Sequence, residues 1–187
     1  MHNLKIISFI FLLLIFGTSF NSFAETNNIK LSSTEKKLYE LGIELPDPSG
    51  DIAEYLQFNK VGNLLFISAQ FPINEGKLRY KGKLGQNIST DKAIEAGKLS
   101  ALNVLAQIKQ SEGSLDNVKK IVKINVYINS TNDYVAHPKI TDEVSNLFIK
   151  IFGKKGKHAR SEIGVASLPF NSPIQIDAVV ELKKKNK

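Results

Sequence analysis

An arginine at the start of an apolar, strand-like segment is the residue of this chain best suited to binding a ligand. Arg160 follows Lys157-His158-Ala159 and begins a run that leads into Leu168-Pro169. Partial burial of an unpaired guanidinium is costly, but the planar fork of arginine forms two parallel charge-assisted hydrogen bonds with a carboxylate. The residues alone leave two interpretations open: Arg160 binds the carboxylate of a ligand, or it forms an internal salt bridge or lies on the surface.

Two neighbours of Arg160 also carry titratable groups. Glu162 lies two residues further along, so on a strand its side chain shares the face of Arg160. Glu162 could neutralise Arg160 from within the protein, act as a catalytic base, or lie in water at the rim of a cleft. His158 could titrate near neutral pH. We interpret it as a structural histidine and expect no metal site, because beyond residue 24 the chain has only one other histidine, His137.

The elements that would position these residues follow from the spacing of apolar side chains. Residues 122–129 alternate, with Val122, Ile124, Val126 and Ile128 on one side and polar residues on the other, which predicts a strand with one dry face. The predicted strands cover residues 55–61, 63–69, 78–81, 122–129, 159–167 and 174–182, and the predicted long helices cover residues 91–109 and 138–152. This order favours an α+β fold in which two main helices cover one face of a single sheet.

The first residues predict an exported protein. A charged start, an apolar run at residues 6–16 and small residues ending at Ala24 are typical of a secretory signal peptide. The run is shorter than the ~20 residues of a membrane span, although an uncleaved anchor is the alternative. We therefore divide the chain into a signal peptide at 1–24, a leader with a short helix capped by Ser33 or Thr34 at 25–50, and a main domain at 51–187. The mature protein is expected to be periplasmic or secreted and to have no stable membrane span.

Composition narrows the chemistry. The chain has no cysteine, which excludes thiol catalysis and cysteine-ligated zinc or iron–sulfur sites. The formal net charge of +7 includes lysine-rich runs at residues 154–157 and 183–187. A basic patch can attract nucleic acid or anionic lipid. We interpret these lysines as solvated and expect no specific nucleic-acid partner, because no aromatic residues are interleaved among them for base stacking.

Several segments, taken in their order and spacing, resemble one known family. They include Gly62-Asn63-Leu64-Leu65-Phe66-Ile67-Ser68-Ala69-Gln70, Lys157-His158-Ala159-Arg160-Ser161 with Leu168-Pro169, and the segments 41–46, 82–85, 102–106, 113–116 and 122–130. Together they resemble the Rid family of the RidA/YjgF type, often labelled endoribonuclease L-PSP-like. The resemblance implies a chorismate-mutase-like α+β fold, assembled as a homotrimer with clefts between subunits. It also implies hydrolysis of enamine or imine intermediates of amino acids to 2-oxo acids and ammonia, with no metal or organic cofactor. Some members are described instead as ribonucleases, translation inhibitors or chaperones.

The resemblance implies roles for particular residues of the ligand site. The carboxylate-holding arginine of the family falls on Arg160, and its site tyrosine falls on Tyr55. Ser68 and Ala69 occupy the strand-end positions whose backbone meets the amino or imino end of the substrate, and many members have glycine where Ala69 stands. A site asparagine of the second long helix aligns loosely with Asp142.

One position departs from the family pattern in a way that matters for catalysis. The water-positioning glutamate of many members, fifteen residues after the arginine, falls here on Gln175. An amide orients water by hydrogen bonding but does not accept a proton at ordinary pH, and general-base assistance is typically worth ~10²–10⁴-fold. Two hypotheses follow: a weak enamine/imine deaminase that uses Arg160, Gln175 and Glu162, or a non-catalytic protein that binds small carboxylates or acts as a chaperone. A ribonuclease activity ranks third, because the chain offers no histidine pair or metal cluster to cleave RNA.

Overall fold

A computed structural model describes residues 32–48, 50 and 54–184. The signal peptide predicted at residues 1–24 lies outside the described residues. The helices are α1 (Ser33–Glu40), α2 (Thr90–Glu112) and α3 (His137–Phe152), with single 3-10 turns at Leu115–Asn117, Gly153–Gly156 and Pro169–Asn171. The strands are β1 (Phe58–Val61), β2 (Leu64–Gln70), β3 (Ile73–Asn74), β4 (Lys77–Leu78), β5 (Val118–Asn129), β6 (Ala159–Val165) and β7 (Ile174–Leu182).

Five of these strands form the main sheet, in the order β1-β2-β7-β5-β6, and β3 pairs with β4 as a separate short hairpin. The pairs β1–β2, β2–β7 and β5–β7 are antiparallel. Strands β5 and β6 are parallel, and α3 lies between them in the chain because a parallel pair needs a crossover connection. In the strand order given above, β6 is one edge of the sheet, and β1, which pairs with β2, is the other.

The two long helices form where the sequence predicts them and cover one face of the sheet. The Ser89 hydroxyl caps the start of α2 by accepting from the backbone N–H of Lys92, and Gly113 ends the helix in a left-handed conformation with φ 73°. Gly97 allows α2 to approach α3 closely, since a Cβ at this position would lie 2.9 Å from Cγ2 of Val144. The predicted α+β architecture with both main helices on a single sheet is confirmed.

The two faces of the sheet differ in what covers them. On the helix side, β5 and β7 bury aliphatic side chains that are at most 2% exposed, namely Ile121, Ile124, Val126, Ile128, Ile174, Ile176, Ala178 and Val180. The opposite face carries half-buried Asn125, Tyr127 and Asp177 together with Phe66 and Ile163, which are 43% and 44% exposed. We call this second surface the open face. It presents apolar side chains with no helix of the described residues over them.

Details of the predicted strands are corrected. Val122 was expected in the core, but a register irregularity between Ile121 and Lys123 buries Ile121 in its place. Asn129 was expected on the polar face, but it is 1% exposed and its amide donates to the carbonyl of Gly82. The strand predicted at residues 55–61 begins only at Phe58, and of the residues predicted at 78–81 only Leu78 lies in a strand, β4.

The short helix α1 is anchored on the main body. Its cap is Ser32 rather than Ser33 or Thr34, and a capping box joins Ser32 with Glu35. The Asp116 carboxylate accepts from the backbone N–H and the hydroxyl of both Ser33 and Thr34. Burial raises the pKa of Asp116, but these hydrogen bonds outweigh burial and hold the pKa well below its usual range. In addition, Leu38 packs into the core cluster.

Among the residues that the structure describes, no helix is long and apolar enough to cross a membrane.

Candidate functional site

Arg160 lies on the edge strand β6 and points to the helix side of the sheet. It is in register with Ile124 of β5, which is fully buried under the helices. Its side chain is 23% exposed and contacts three polar residues. Nη1 donates to Oγ of Ser145 at 3.0 Å, while Nη2 contacts Oδ1 of Asp142 at 2.9 Å and Oε2 of Glu162 at 3.1 Å. Half-burial at the edge of the sheet is therefore compensated by a shell of oxygen atoms.

This shell determines which hydrogen-bond donors of Arg160 can meet a ligand. A guanidinium has five N–H donors, two of them on Nη2, and both acids contact Nη2. A ligand carboxylate can form a bidentate contact, with two parallel hydrogen bonds that include Nη2, only if one of the two acids leaves Nη2. Asp142 is the more exchangeable, because its side chain is 63% exposed against 29% for Glu162. Glu162 is also held by the hydroxyl of Thr141, which donates to the same Oε2.

Of the three interpretations of Glu162, the contacts match the ion pair with Arg160. Its role in catalysis or binding stays a prediction, as do the roles of the other site residues.

A second chain of hydrogen bonds fixes Arg160 from its Nη1 side. His158 Nδ1 lies 2.6 Å from the carbonyl oxygen of Gly156, and its Nε2 lies 3.1 Å from Oγ of Ser145. The carbonyl can only accept, so Nδ1 carries the proton and Nε2 of the neutral ring accepts from the Ser145 hydroxyl. Ser145 is then oriented so that its oxygen accepts from Arg160. His158 thus holds Ser145, and Ser145 holds the guanidinium.

The protonation state of His158 supports this arrangement. Burial lowers the pKa of His158 below the ordinary histidine value, and the positive charge of Arg160 also lowers it, while the bond to the Gly156 carbonyl acts in the opposite direction. The ring edge packs against Phe148, with centroids 5.7 Å apart. The neutral ring that the hydrogen-bond chain requires is therefore the favoured form near neutral pH.

An open depression lies beside the guanidinium. It is lined by Ser145, Ile149, Lys157, His158 and Arg160. The lining combines one aliphatic side chain with hydroxyl, imidazole and cationic groups, which suits a small ligand with an acidic end and a short apolar part.

Three residues of α3 that the sequence interpretation did not assign form a polar seam with β6. His137, Thr141 and Ser145 recur every four residues, so they share one face of α3. Thr141 and Ser145 contact Glu162 and Arg160. The signal in the sequence was this four-residue spacing of polar residues on the side of α3 that is next to its apolar stripe.

His137 closes the far end of the seam. Its Nε2 lies 3.2 Å from Oγ of Ser130, and a Cβ on Gly164 would lie 2.8 Å from each of these atoms. The absence of a side chain at Gly164 is therefore what allows the edge strand to lie so close to this pair.

Gln175 lies on the other side of the sheet from Arg160. Gln175 is in register with Tyr127 of β5, whereas Arg160 is in register with Ile124. Residues in register point to the same side, and side chains three positions apart on a strand point to opposite sides. One chain therefore does not bring Gln175 to the guanidinium.

The remaining predicted site residues lie near the opposite edge of the sheet. Tyr55 precedes β1 and is 47% exposed. Ser68 and Ala69 lie where β2 departs from regular pairing with β7, and the hydroxyl of Ser68 donates to the carbonyl of Leu56 at 2.7 Å. Strands β7 and β5 separate β2 from β6, so three inter-strand spacings lie between them. At about 4.8 Å per spacing, Ser68 and Ala69 lie roughly 14 Å from the β6 strand that carries Arg160. A single chain holds two separate halves of the predicted site.

No group of three or more His, Asp or Glu side chains is arranged to hold a metal ion within residues 32–48, 50 and 54–184.

Comparisons with known proteins agree with this architecture. Residues 35–182 match the model of the YjgF/chorismate-mutase-like endoribonuclease family. The chain is 35% identical over 146 residues to Protein TCP17 of Trypanosoma cruzi, covering 78% of this chain and 91% of that protein. It is 27% identical over 146 residues to a 2-iminobutanoate/2-iminopropanoate deaminase of Dermatophagoides farinae, covering 75% and 95%. The solved structure of Atu1372 from Agrobacterium tumefaciens, a protein of unknown function, superimposes with a TM-score of 0.75 at 37% identity, covering 80% and 92%.

The chain therefore belongs to the YjgF/chorismate-mutase-like family, the Rid family that its motifs resemble.

Proposed function

We propose that this protein is a Rid-type deaminase that hydrolyses 2-imino acids to 2-oxo acids and ammonia. Arg160 holds the carboxylate of the substrate. Water attacks C2, and the π electrons of the C=N bond move to nitrogen. One proton passes from the attacking oxygen to the nitrogen, which gives a carbinolamine. The remaining hydroxyl proton is then transferred to the nitrogen as the C–N bond breaks and the C=O bond forms, so that ammonia and the 2-oxo acid are released. No step requires an oxidant, a reductant or an organic cofactor.

The observation that carries the proposal is the positioning of Arg160. Ser145 and His158 fix the guanidinium beside a small open depression, and an exposed acid, Asp142, can be replaced by the carboxylate of a ligand. The likeness to a 2-iminobutanoate/2-iminopropanoate deaminase supports the reaction class. Since Gln175 cannot take a proton from water, we expect turnover to be slow.

The proposal includes a homotrimer, because the two halves of the site lie apart in one chain. Arg160 lies at the β6 edge, and Tyr55, Ser68 and Ala69 lie near the other. A head-to-tail ring joins unlike surfaces of identical subunits, so the β6 edge of one protomer meets the β1–β2 region of the next in each cleft. The partly exposed Phe66 and Ile163 of the open face supply apolar surface for such an assembly.

The test is ammonia release from freshly generated 2-iminopropanoate, with the oligomeric state measured by light scattering. Arg160→Ala should lower kcat/KM roughly 100-fold or more, because it removes two charge-assisted hydrogen bonds to the substrate. Arg160→Lys keeps the charge without the fork and should recover only part of the activity.

The matched control for the Arg160 variants is Arg79→Ala, which removes an arginine paired with Glu75 away from the site and should leave the rate unchanged. A wild-type protein that neither releases ammonia nor binds small 2-oxo acids contradicts the proposal.

A non-catalytic carboxylate-binding role is the second candidate. It is favoured by Gln175, which is not an acid, and by the ion pairs that already neutralise Arg160. One chain does not bring Gln175 to its own guanidinium, so Gln175→Glu separates the two roles if Gln175 of a neighbouring protomer faces the bound ligand. A rise in rate towards the ~10²–10⁴-fold expected of a general base indicates a catalytic site that lacks only its base, whereas an unchanged rate with unchanged ligand affinity favours binding alone.

Export is also part of the proposal and rests on the sequence of residues 1–24. When the complete chain is expressed in a bacterium with a periplasm, the protein recovered from the periplasmic extract should begin at Glu25. An intact N-terminus found only in the cytoplasmic fraction would contradict export.

A further inference from the structure

We propose that the Arg160 site selects ligands in which a positively charged nitrogen lies beside the carboxylate, and that Glu162 is the residue responsible. The preferred ligands are the protonated imine of a 2-imino acid and, as stable analogues, amino-acid zwitterions. The disfavoured ligands are 2-oxo acids. This inference rests on the proposed function, because it concerns the same carboxylate site, and it adds a specificity that the family resemblance does not assign.

The argument begins with the charges around the guanidinium. One cation, Arg160, contacts two carboxylates, Asp142 and Glu162. His158 contributes no charge near neutral pH, since burial lowers its pKa. Lys157 also lines the depression and is exposed to water, where its charge is strongly screened. The guanidinium and its immediate contacts together therefore carry one more negative charge than positive.

This excess of negative charge affects which ligands can bind. To form two parallel hydrogen bonds that include Nη2, a ligand carboxylate must displace one acid, and Asp142 is the acid that can swing into solvent, being 63% exposed. Glu162 stays, because Thr141 holds it and it is only 29% exposed. The bound carboxylate then lies close to a second carboxylate that shares its arginine. One guanidinium balances only one of these two negative charges, so the two anions still repel each other unless a second cation lies near them.

A protonated imine supplies that cation. In R–C(=NH₂⁺)–COO⁻ the nitrogen is two bonds from the carboxylate carbon, so when Arg160 holds the carboxylate, the nitrogen lies within reach of a neighbouring acid. Both contacts of Glu162 in the structure use Oε2, which leaves Oε1 to accept from the N–H of the ligand. A 2-oxo acid presents a carbonyl oxygen at the same place, and that oxygen can only accept.

The selection suits the direction of the reaction. The protonated imine is more electrophilic at C2 than the neutral imine, and Glu162 stabilises that form by hydrogen bonding and by charge. Hydrolysis replaces the cationic nitrogen by oxygen and so removes the group that offset the repulsion. The product is held less tightly than the substrate, which favours its release.

The test compares ligands of matched size by calorimetry. Wild-type protein should bind alanine, tested as both enantiomers because an imine carbon has no handedness, at least about tenfold more tightly than pyruvate. Glu162→Gln, which keeps the shape of the side chain, should abolish or reverse that preference. Glu162→Asp keeps the charge and should retain it. Asp142→Asn should strengthen the binding of both ligands by a similar factor, since it weakens the internal competitor.

The outcomes separate this inference from the proposed function. If wild-type protein binds pyruvate as tightly as alanine, or more tightly, and Arg160→Ala abolishes that binding, the carboxylate site stands and the selectivity is refuted. A preference for alanine that Glu162→Gln leaves unchanged also refutes the role of Glu162. If neither ligand binds, the inferred selectivity is refuted, and the proposed function fails as well only if the protein also releases no ammonia from 2-iminopropanoate.

Discussion

The predicted site residues at the two edges of the sheet are of opposite kinds. At the β6 edge, charged side chains lie half-buried, and residues of α3 bind each of them. Near the β1–β2 edge, the predicted site residues are uncharged, and the polar contacts close to Ser68 and Ala69 join neutral groups, as in Ser68 to Leu56 and Gln70 to Gln57. The comparison suggests a division of roles: one edge supplies charge to a ligand, and the other supplies shape and neutral hydrogen bonds.

The contrast has a structural cause. The central strands β5 and β7 are covered by α2 and α3 and bury only aliphatic side chains on that side, because an unpaired charge at such a position is costly. Strand β6 pairs with β5 but is the edge strand of the sheet. Its charged side chains therefore contact both the polar seam of α3 and water. At the β6 edge, an arginine is thus both fixed by α3 and accessible to a ligand.

The largest expected effect comes from mixing two variants that each damage one edge. Arg160→Ala and Tyr55→Phe should each lose most activity when assembled alone. If every site combines the two edges of neighbouring protomers in a trimer, random co-assembly of equal amounts should restore roughly a quarter of the sites. The measurement is ammonia release, or ligand-binding capacity, after the variants are refolded together.

Separate refolding followed by mixing is the control for that experiment. Activity that stays at the level of the single variants after co-assembly would show that both groups serve the same protomer, or that Tyr55 has no part in the site.

A smaller effect is expected from the residue that orients the guanidinium. Ser145→Ala removes the acceptor of Nη1 and the donor to His158, so ligand affinity should fall about tenfold. Ser111→Ala is the matched control: its hydroxyl donates to Glu112, which pairs with Lys60 of β1 at the other edge. Equal losses from the two variants would contradict the proposed division between the edges.

The smallest effect concerns the pH dependence of stability. The pKa of His158 is lower in the folded protein than its ordinary value of 6.5, so between the folded and unfolded values the unfolded chain binds more protons. At pH values above the pKa of His158 in the unfolded chain, the neutral ring contributes its full stabilisation. This stabilisation is lost as the pH falls from there through the pKa of His158 in the folded protein. Between about pH 7 and about pH 5, wild-type protein should therefore lose more stability than His158→Gln.

Denaturant unfolding across that pH range measures the difference. Parallel loss in the two proteins would show that the titration of His158 is not coupled to folding.

Prediction from the sequence succeeded where a pattern is local. The apolar spacing that predicted helices at residues 91–109 and 138–152 corresponds to α2 and α3, which extend one to three residues further at all but one end. Prediction from the sequence was less accurate where contacts with distant segments determine which side chains are buried. Val122 is displaced from the core by an irregularity that only the partner strand reveals, and Asn129 is buried because its amide reaches Gly82 across the fold.

The site shows the same division. Arg160 stands out in the sequence because a charge at the start of an apolar strand requires a partner, and Glu162 follows from the two-residue period of a strand. Ser145 and Thr141 were not assigned, because their roles depend on α3 crossing over β6, a contact between residues 15 to 21 positions apart. That Gln175 lies on the opposite face could not be predicted either, since it follows from the register of β5 with both of its neighbours.

The sequence by itself determined the family, the two long helices, the apolar strands and the arginine around which a site forms, because each depends on residue types and spacing within a short stretch. Only the tertiary structure decided which acids neutralise that arginine, which serine and histidine orient it, and which predicted residues lie too far away to act with it in one chain. These depend on strand order and on helix placement over the sheet, and hence on contacts between distant segments that no local spacing encodes.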